Sequence, residues 1–189
     1  MKIYELPETR VNLVTIPPIS FIEGEFVRIE MGFLEYDLRQ AVAKCILKNA
    51  VQAKIRPVRP LQTQNLFRFF KPWKVADYFR AVGLTDEQAQ NFFAIENKHN
   101  ESIKIDSVLQ ELRFQQKQVV FLYAMSCNSA PIFIHTSGFY ASVLALAYDV
   151  IKRHVMRGGT CIELAYPLFQ HEDSLRTAIV EDPRTITLR

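Results

Sequence analysis

The second half of the chain narrows most what it can fold into. Gln110 to Met125 reads as a helix, and after the turn residues of Asn128 to Pro131 comes a short apolar run, Ile132 to Ile134. A loop leads to a second helix from about Tyr140 to Met156. Gly158-Gly159 ends it, and "TCIELAY" from Thr160 to Tyr166 has the composition of a buried strand. Helix, strand, helix, glycine pair, strand is the rhythm of a parallel sheet, because parallel neighbours need a long crossover that is usually a helix. The fold class predicted is therefore α/β.

The first third alternates short β-rich runs (Val11 to Ile16, Ile19 to Ile22, Phe26 to Ile29) with turn residues such as Pro17-Pro18 and Glu23-Gly24, which predicts three strands. Asp37 followed by Gln40 has the form of a helix start, the Asp side chain capping free N–H groups and the Gln reaching back. The helix so opened runs from Leu38 to about Ala53, with Leu38, Ala41, Val42, Cys45 and Ile46 on one face. Pro57 and Pro60 break it before an aromatic and basic stretch, "LQTQNLFRFFKPWKVADYF", from Leu61 to Phe79. From Trp73 to the "NKHNESIKID" loop the chain is helical in pattern, with Thr85 as cap of a segment beginning Asp86-Glu87-Gln88. With 189 residues, about half of them hydrophobic, the chain suits one domain spanning residues 1–189.

Several function classes lose ground on composition. No apolar run approaches the roughly 20 residues a bilayer requires, and no basic start leads into an apolar leader, so a cytoplasmic protein is expected. Cys45, Cys127 and Cys161 are far apart with no Cys-x-x-Cys pair, and His99, His135, His154 and His171 lack ligand spacing, so neither a disulfide framework nor a metal site is expected. The net charge of +3 conceals an asymmetry: from Leu38 to Ala76 there is no Asp or Glu, while Arg39, Lys44, Lys48, Lys54, Arg56, Arg59, Arg68, Lys71 and Lys74 are basic. Such a block is usually a solvated face, but it can also meet phosphates, lipid head groups or an acidic partner.

The order of these pieces resembles the ATP-binding subunit of ABC transporters, from about Asn12 to Arg189. "FIEGEFVRIEMG" looks like the strand and Gly-Glu turn leading into that family's phosphate loop, and "LQTQNLF" looks like its Q-loop, with Gln62 in the Gln position. "LQELRFQQKQVVFLYAM" falls where the family has Leu-Ser-Gly-Gly-Gln: Leu112 and Gln116 match, while Arg113, Phe114 and Gln115 replace Ser-Gly-Gly. "PIFIHTSGFYASV" falls on the Walker B strand. "AYDVIKRHVMRGGTCIELAYP" is similar to the closing helix, turn and last strand, with Tyr166 in place of the switch histidine. The resemblance implies an ABC-type ATPase domain, a parallel sheet flanked by helices with a helical subdomain at about residues 71–110.

It also implies a loss. ATP hydrolysis on this plan needs a Lys in a Gly-rich loop for the β- and γ-phosphates, and a Ser or Thr plus a Walker B Asp for magnesium. The loop from Glu30 to Asp37 has one Gly, no Lys and three carboxylates, and Asp37 falls where the family has its Lys. The Walker B Asp and the catalytic Glu fall on Thr136 and Ser137, which neither bind magnesium as a carboxylate does nor act as a general base near neutral pH. Phe114 and Gln115 add bulk where the signature motif brings its backbone close to a phosphate. A catalytically inactive pseudo-ATPase with no bound cofactor is expected.

For such a subunit the expected role is structural or regulatory, at the cytoplasmic face of a membrane. The partners implied are a membrane permease or other transporter subunit, an ABC ATPase, or a second copy in a homodimer, with an anionic membrane surface near the basic block. The docking surface is assigned to Gln62, Phe67, Arg68, Phe69, Phe70, Lys71 and Trp73, since aromatic and Arg side chains anchor interfaces; the opposing reading is that these aromatics are core. Two alternatives belong to other classes. A nucleic-acid module would stack bases on Phe69, Phe70 and Trp73, but the slight net charge and the absence of a binding motif disfavour it. An α/β enzyme with another site would gather Tyr166, Glu163, His135, Cys127 and Ser137 at the carboxyl ends of the strands.

Overall fold

The computed structural model describes residues 3–32, 34–59, 61, 72–165 and 184–188. It begins with two antiparallel pairs. Strand β1 (Ile3–Leu6) pairs with β4 (Ile19–Ile22), and between them β2 (Thr9–Val11) pairs with β3 (Val14–Ile16). The expected single strand from Val11 to Ile16 is thus the turn of a hairpin, closed at Asn12, whose φ of 53° a short polar side chain tolerates. β5 (Phe26–Glu30), α1 (Tyr36–Gln52) and β6 (Arg56–Pro57) follow, then α2 (Val75–Ala81), α3 (Asp86–His99), α4 (Phe114–Ser126), β7 (Ile132–His135), α5 (Ala141–Met156), β8 (Cys161–Ala165) and β9 (Arg184–Thr187).

Five strands form one sheet in the order β6-β7-β8-β5-β9, every pair parallel. The expected α/β class with a parallel sheet flanked by helices is what the chain adopts. β5, β7 and β8 are buried on both faces and so read as near-continuous apolar runs. Their side chains alternate between two cores. Phe26, Ile132, Ile134 and Cys161 join α2 to α5 on one face, whereas Val27, Ile29, Phe133, Ile162 and Leu164 meet α1 and the antiparallel strands on the other.

Helix ends follow the sequence signals unevenly. Thr85 caps α3 as expected, its hydroxyl accepting from the Gln88 N–H at 3.2 Å while Gln88 Oε1 accepts from the Thr85 N–H at 2.9 Å. Asp37 is not a cap. α1 starts two residues earlier than expected, at Tyr36, Glu35 is its N-cap without a side-chain cap bond, and Asp37 lies exposed in the first turn. α4 begins at Phe114, not Gln110, and the intervening residues form turns tied to the start of α2, with Leu109 N–H donating to Trp73 O at 2.6 Å. Among the described residues, no helix is long and apolar enough to cross a membrane.

Candidate functional site

Parallel sheets place their sites where the strands end at the carboxyl edge, in the loops that follow. The loop after β5 is residues 31–35, only five long. It is closed by backbone bonds: Met31 N–H donates to Ala165 O at 3.1 Å, and Leu188 N–H donates to Glu30 O at 2.8 Å. Gly32, at φ 57°, lies so close to β9 that a Cβ there would meet Leu188 O at 2.7 Å. The loop leads into a helix with the exposed carboxylates of Glu35 at its N-cap and Asp37 in its first turn, and from Glu30 onward no Lys occurs before Lys44. A helix amino terminus attracts anions, and two carboxylates there oppose that attraction.

Behind this edge lies a buried polar network. On the helix-facing side of the sheet, Arg28 of β5 stands beside Glu163 of β8 in register, and neither is more than 5% exposed. Glu163 Oε1 accepts hydrogen bonds from the Thr136 hydroxyl and, at 2.6 Å, from the Tyr148 hydroxyl of α5. Arg28 pairs with Glu30 one step up the strand. Burial pushes the Glu163 carboxyl above its ordinary value, opposed by the two hydroxyl donors and the Arg28 charge. Burial and the neighbouring Glu163 hold Tyr148 protonated far above its ordinary range, so it remains a donor.

The predicted positions are distributed as follows. Thr136, just after β7, is 4% exposed and turned inward to Glu163. Ser137 follows it with a buried hydroxyl that has no hydrogen-bond partner among the described residues. Arg113 is the exposed N-cap of α4, its guanidinium 5.5 Å from the centre of the Tyr140 ring, and Phe114 beside it is 68% exposed. Trp73 is half-buried against the helical core, its ring 6.3 Å from that of Tyr78 and its N–H donating to Gln110 Oε1 at 3.1 Å. Gln62, Phe67, Arg68, Phe69, Phe70, Lys71 and Tyr166 lie outside the described residues.

The five residues offered for an alternative enzyme do not all meet. Cys127 follows α4 at the opposite, amino-terminal edge of the sheet, half-buried beside Tyr123 and Arg157, with its thiol pushed up by burial. His135 ends β7 and is held below its ordinary value by burial. Within the basic block, Lys44, Lys48, Lys54, Arg59 and Lys74 are exposed, whereas Arg56 is half-buried and hydrogen-bonded to Asn128 Oδ1.

No protein-family model matches the chain, and no curated protein matches it. Among solved structures, an ATP-binding subunit of an ABC transporter matches with a TM-score of 0.56 at 10% identity, over 99% of this chain and 85% of that one. A nucleotide-free ATP-binding cassette from an ABC transporter matches with a TM-score of 0.54 at 11% identity, over 98% of this chain and 87% of that one. The fold is thus that of ABC transporter ATP-binding domains. A looser likeness, with a TM-score of 0.48 at 15% identity, is to the complex of archaeal ribosomal stalk protein and ribosome recycling factor, and this chain spans 39% of the matched chain.

Proposed function

We propose that the chain is a catalytically inactive relative of ABC ATPase subunits, serving as a structural or regulatory partner in a membrane transport complex. The observation that carries this reading is the loop at 31–35: five residues, its first N–H bonded to the end of β8, without Lys, and opening onto Glu35 and Asp37. A triphosphate entering there meets two carboxylates instead of an ammonium, and the five-residue loop, its first N–H already engaged, is too short to wrap it. Thr136 in the Walker B position supports the same reading, because its hydroxyl is committed to a buried carboxylate. Arg113 and Phe114, in place of the signature serine and first glycine, stand at the start of α4, the helix terminus through which the family contacts nucleotide.

The partners of such a subunit are transporter components, a permease or an ABC ATPase, at the cytoplasmic face of the membrane. Calorimetry of the full chain with magnesium and ATP, run beside a thermal melt, tests the central claim, since a ligand of the native state raises its apparent stability. Neither heat nor a shift in Tm is expected. Saturable binding of ATP would overturn the reading.

A further inference from the structure

Between the end of α3, the first turn of α4 and the start of α5 lies a cleft of about 460 Å³, within the size range of small-molecule sites. Its wall includes Glu101, which is 6% exposed. Asn100 closes α3 in the left-handed conformation at φ 54°, as Asn commonly does, and two residues on Ser102 is also left-handed at φ 61°, which a serine seldom adopts. Two buried side chains enforce that conformation: Glu96 Oε1 accepts from the Ile103 N–H at 3.0 Å, and Gln116 Nε2 donates to Glu101 O at 2.7 Å. Strain over-determined in this way marks a position that the fold keeps fixed.

The Glu101 carboxylate accepts from the Tyr140 hydroxyl at 3.0 Å and has no ion-pair partner among the described residues. Arg113 lies over the ring of the same tyrosine, 5.5 Å from its centre, and is likewise without an ion-pair partner among the described residues. Opposite charges therefore line one cleft, Glu101 and Arg113 both reaching Tyr140 without forming an ion pair with each other, and the exposed Glu111 lies on the same wall. A carboxylate taken out of water without a cation is expensive, so a cation-bearing ligand gains by meeting it. An exposed guanidinium beside it offers a planar fork suited to a second carboxylate.

We propose that this cleft binds a small zwitterion of the α-amino-acid class, its ammonium on Glu101, its carboxylate on Arg113, and its side chain toward the Ser102 and Ser142 wall. The proposal is independent of the ATP reading and stands or falls without it.

The test is a thermal melt of the full chain with each of the twenty standard amino acids at millimolar concentration, with methylamine and acetate as single-charge controls, followed by calorimetry on any that shift Tm. At least one amino acid is expected to bind saturably, more tightly than either control. Glu101→Gln keeps an acceptor for Tyr140, and Arg113→Gln changes an exposed side chain, so each should fold and each should weaken binding about tenfold or more. Should Glu101→Gln melt early, Arg113→Gln and a Phe114→Ala control still decide the matter. Failure of every amino acid to shift Tm would overturn the proposal, as would affinity unchanged in Arg113→Gln or equal binding of methylamine or acetate.

Discussion

Replacing Tyr148 by Phe tests the buried network at its most informative point. The ring remains, and with it the edge-on contact with Phe26 at 6.5 Å, so what is lost is one of two hydroxyl donors on a carboxylate sealed from water. A hydrogen bond to a charged group is worth about 1.5–3 kcal/mol and one between neutral groups about 1 kcal/mol. At neutral pH the variant should lose about 2 kcal/mol, which for a chain of this length lowers Tm by roughly 4–8 °C. The sign of the pH dependence follows from Glu163. Its folded pKa is raised, by burial above all, so its contribution to stability is fully present below the unfolded value of about 4.3 and is lost as pH rises through the folded value. Removing a donor that favours the ionised form raises the folded pKa further, so the deficit of Tyr148→Phe should be near 1 kcal/mol at about pH 4, where the carboxyl is neutral, and should widen toward about pH 7.5 as Glu163 ionises. Urea unfolding at both pH values, in the wild type and in a Glu163→Gln background, measures this directly. A deficit below about 0.5 kcal/mol, or one that is the same at both pH values, would refute a charge-assisted bond; in the Glu163→Gln background the deficit should stay near 1 kcal/mol and ignore pH.

Two further substitutions probe the scaffold. Thr85→Ala removes the reciprocal cap of α3 and should destabilise by about 1 kcal/mol, a fall in Tm of roughly 2–4 °C, while Thr85→Ser should restore most of it; equal melting of all three would mean the cap contributes nothing. Gly159→Ala places a Cβ 2.2–2.5 Å from the ring atoms of His154, a buried side chain between the carbonyls of Ser126 and Thr160, and should cost about 1–3 kcal/mol by overpacking. Combining it with His154→Ala should cost less than the sum of the two single changes, and strict additivity in denaturant melts would show that the ring does not fill that space.

The parts legible in the sequence are those whose fate is local or uniformly apolar. β5, β7 and β8 are buried on both faces, so their composition announces them, and α3 carries its own start signal in Thr85 and Gln88. β6 is a pair, Arg56–Pro57, made a strand only because β7 lies beside it, and nothing in two residues can announce that. Asp37 is the better capping residue by type, yet β5 runs to Glu30 and a five-residue connection leaves Glu35 at the helix start; chain geometry overrides side-chain preference there. Glu163 is visible as an acid within an apolar strand. Its partners are not, since Arg28, Thr136 and Tyr148 come from three other elements and meet only through the strand order and the register of β5 on β8.

On the function proposed above, the fold is kept without a phosphate site, and this is possible because the two depend on different residues. The sheet is secured by alternating apolar side chains facing two cores, and among the described residues of the loop at 31–35 only Met31, buried, and Leu34, partly buried, pack there. In an anion-binding loop the backbone N–H groups stay open for phosphate oxygens. Here the Met31 N–H is satisfied by Ala165 O, and β9 runs close enough for Leu188 O to occupy the space a side chain on Gly32 would need. On the proposed reading, charge is therefore not the only obstacle to nucleotide. Replacing Asp37 with Lys would supply the cation at the helix start but leave the loop short and the Met31 donor engaged, so the backbone cradle would still be missing.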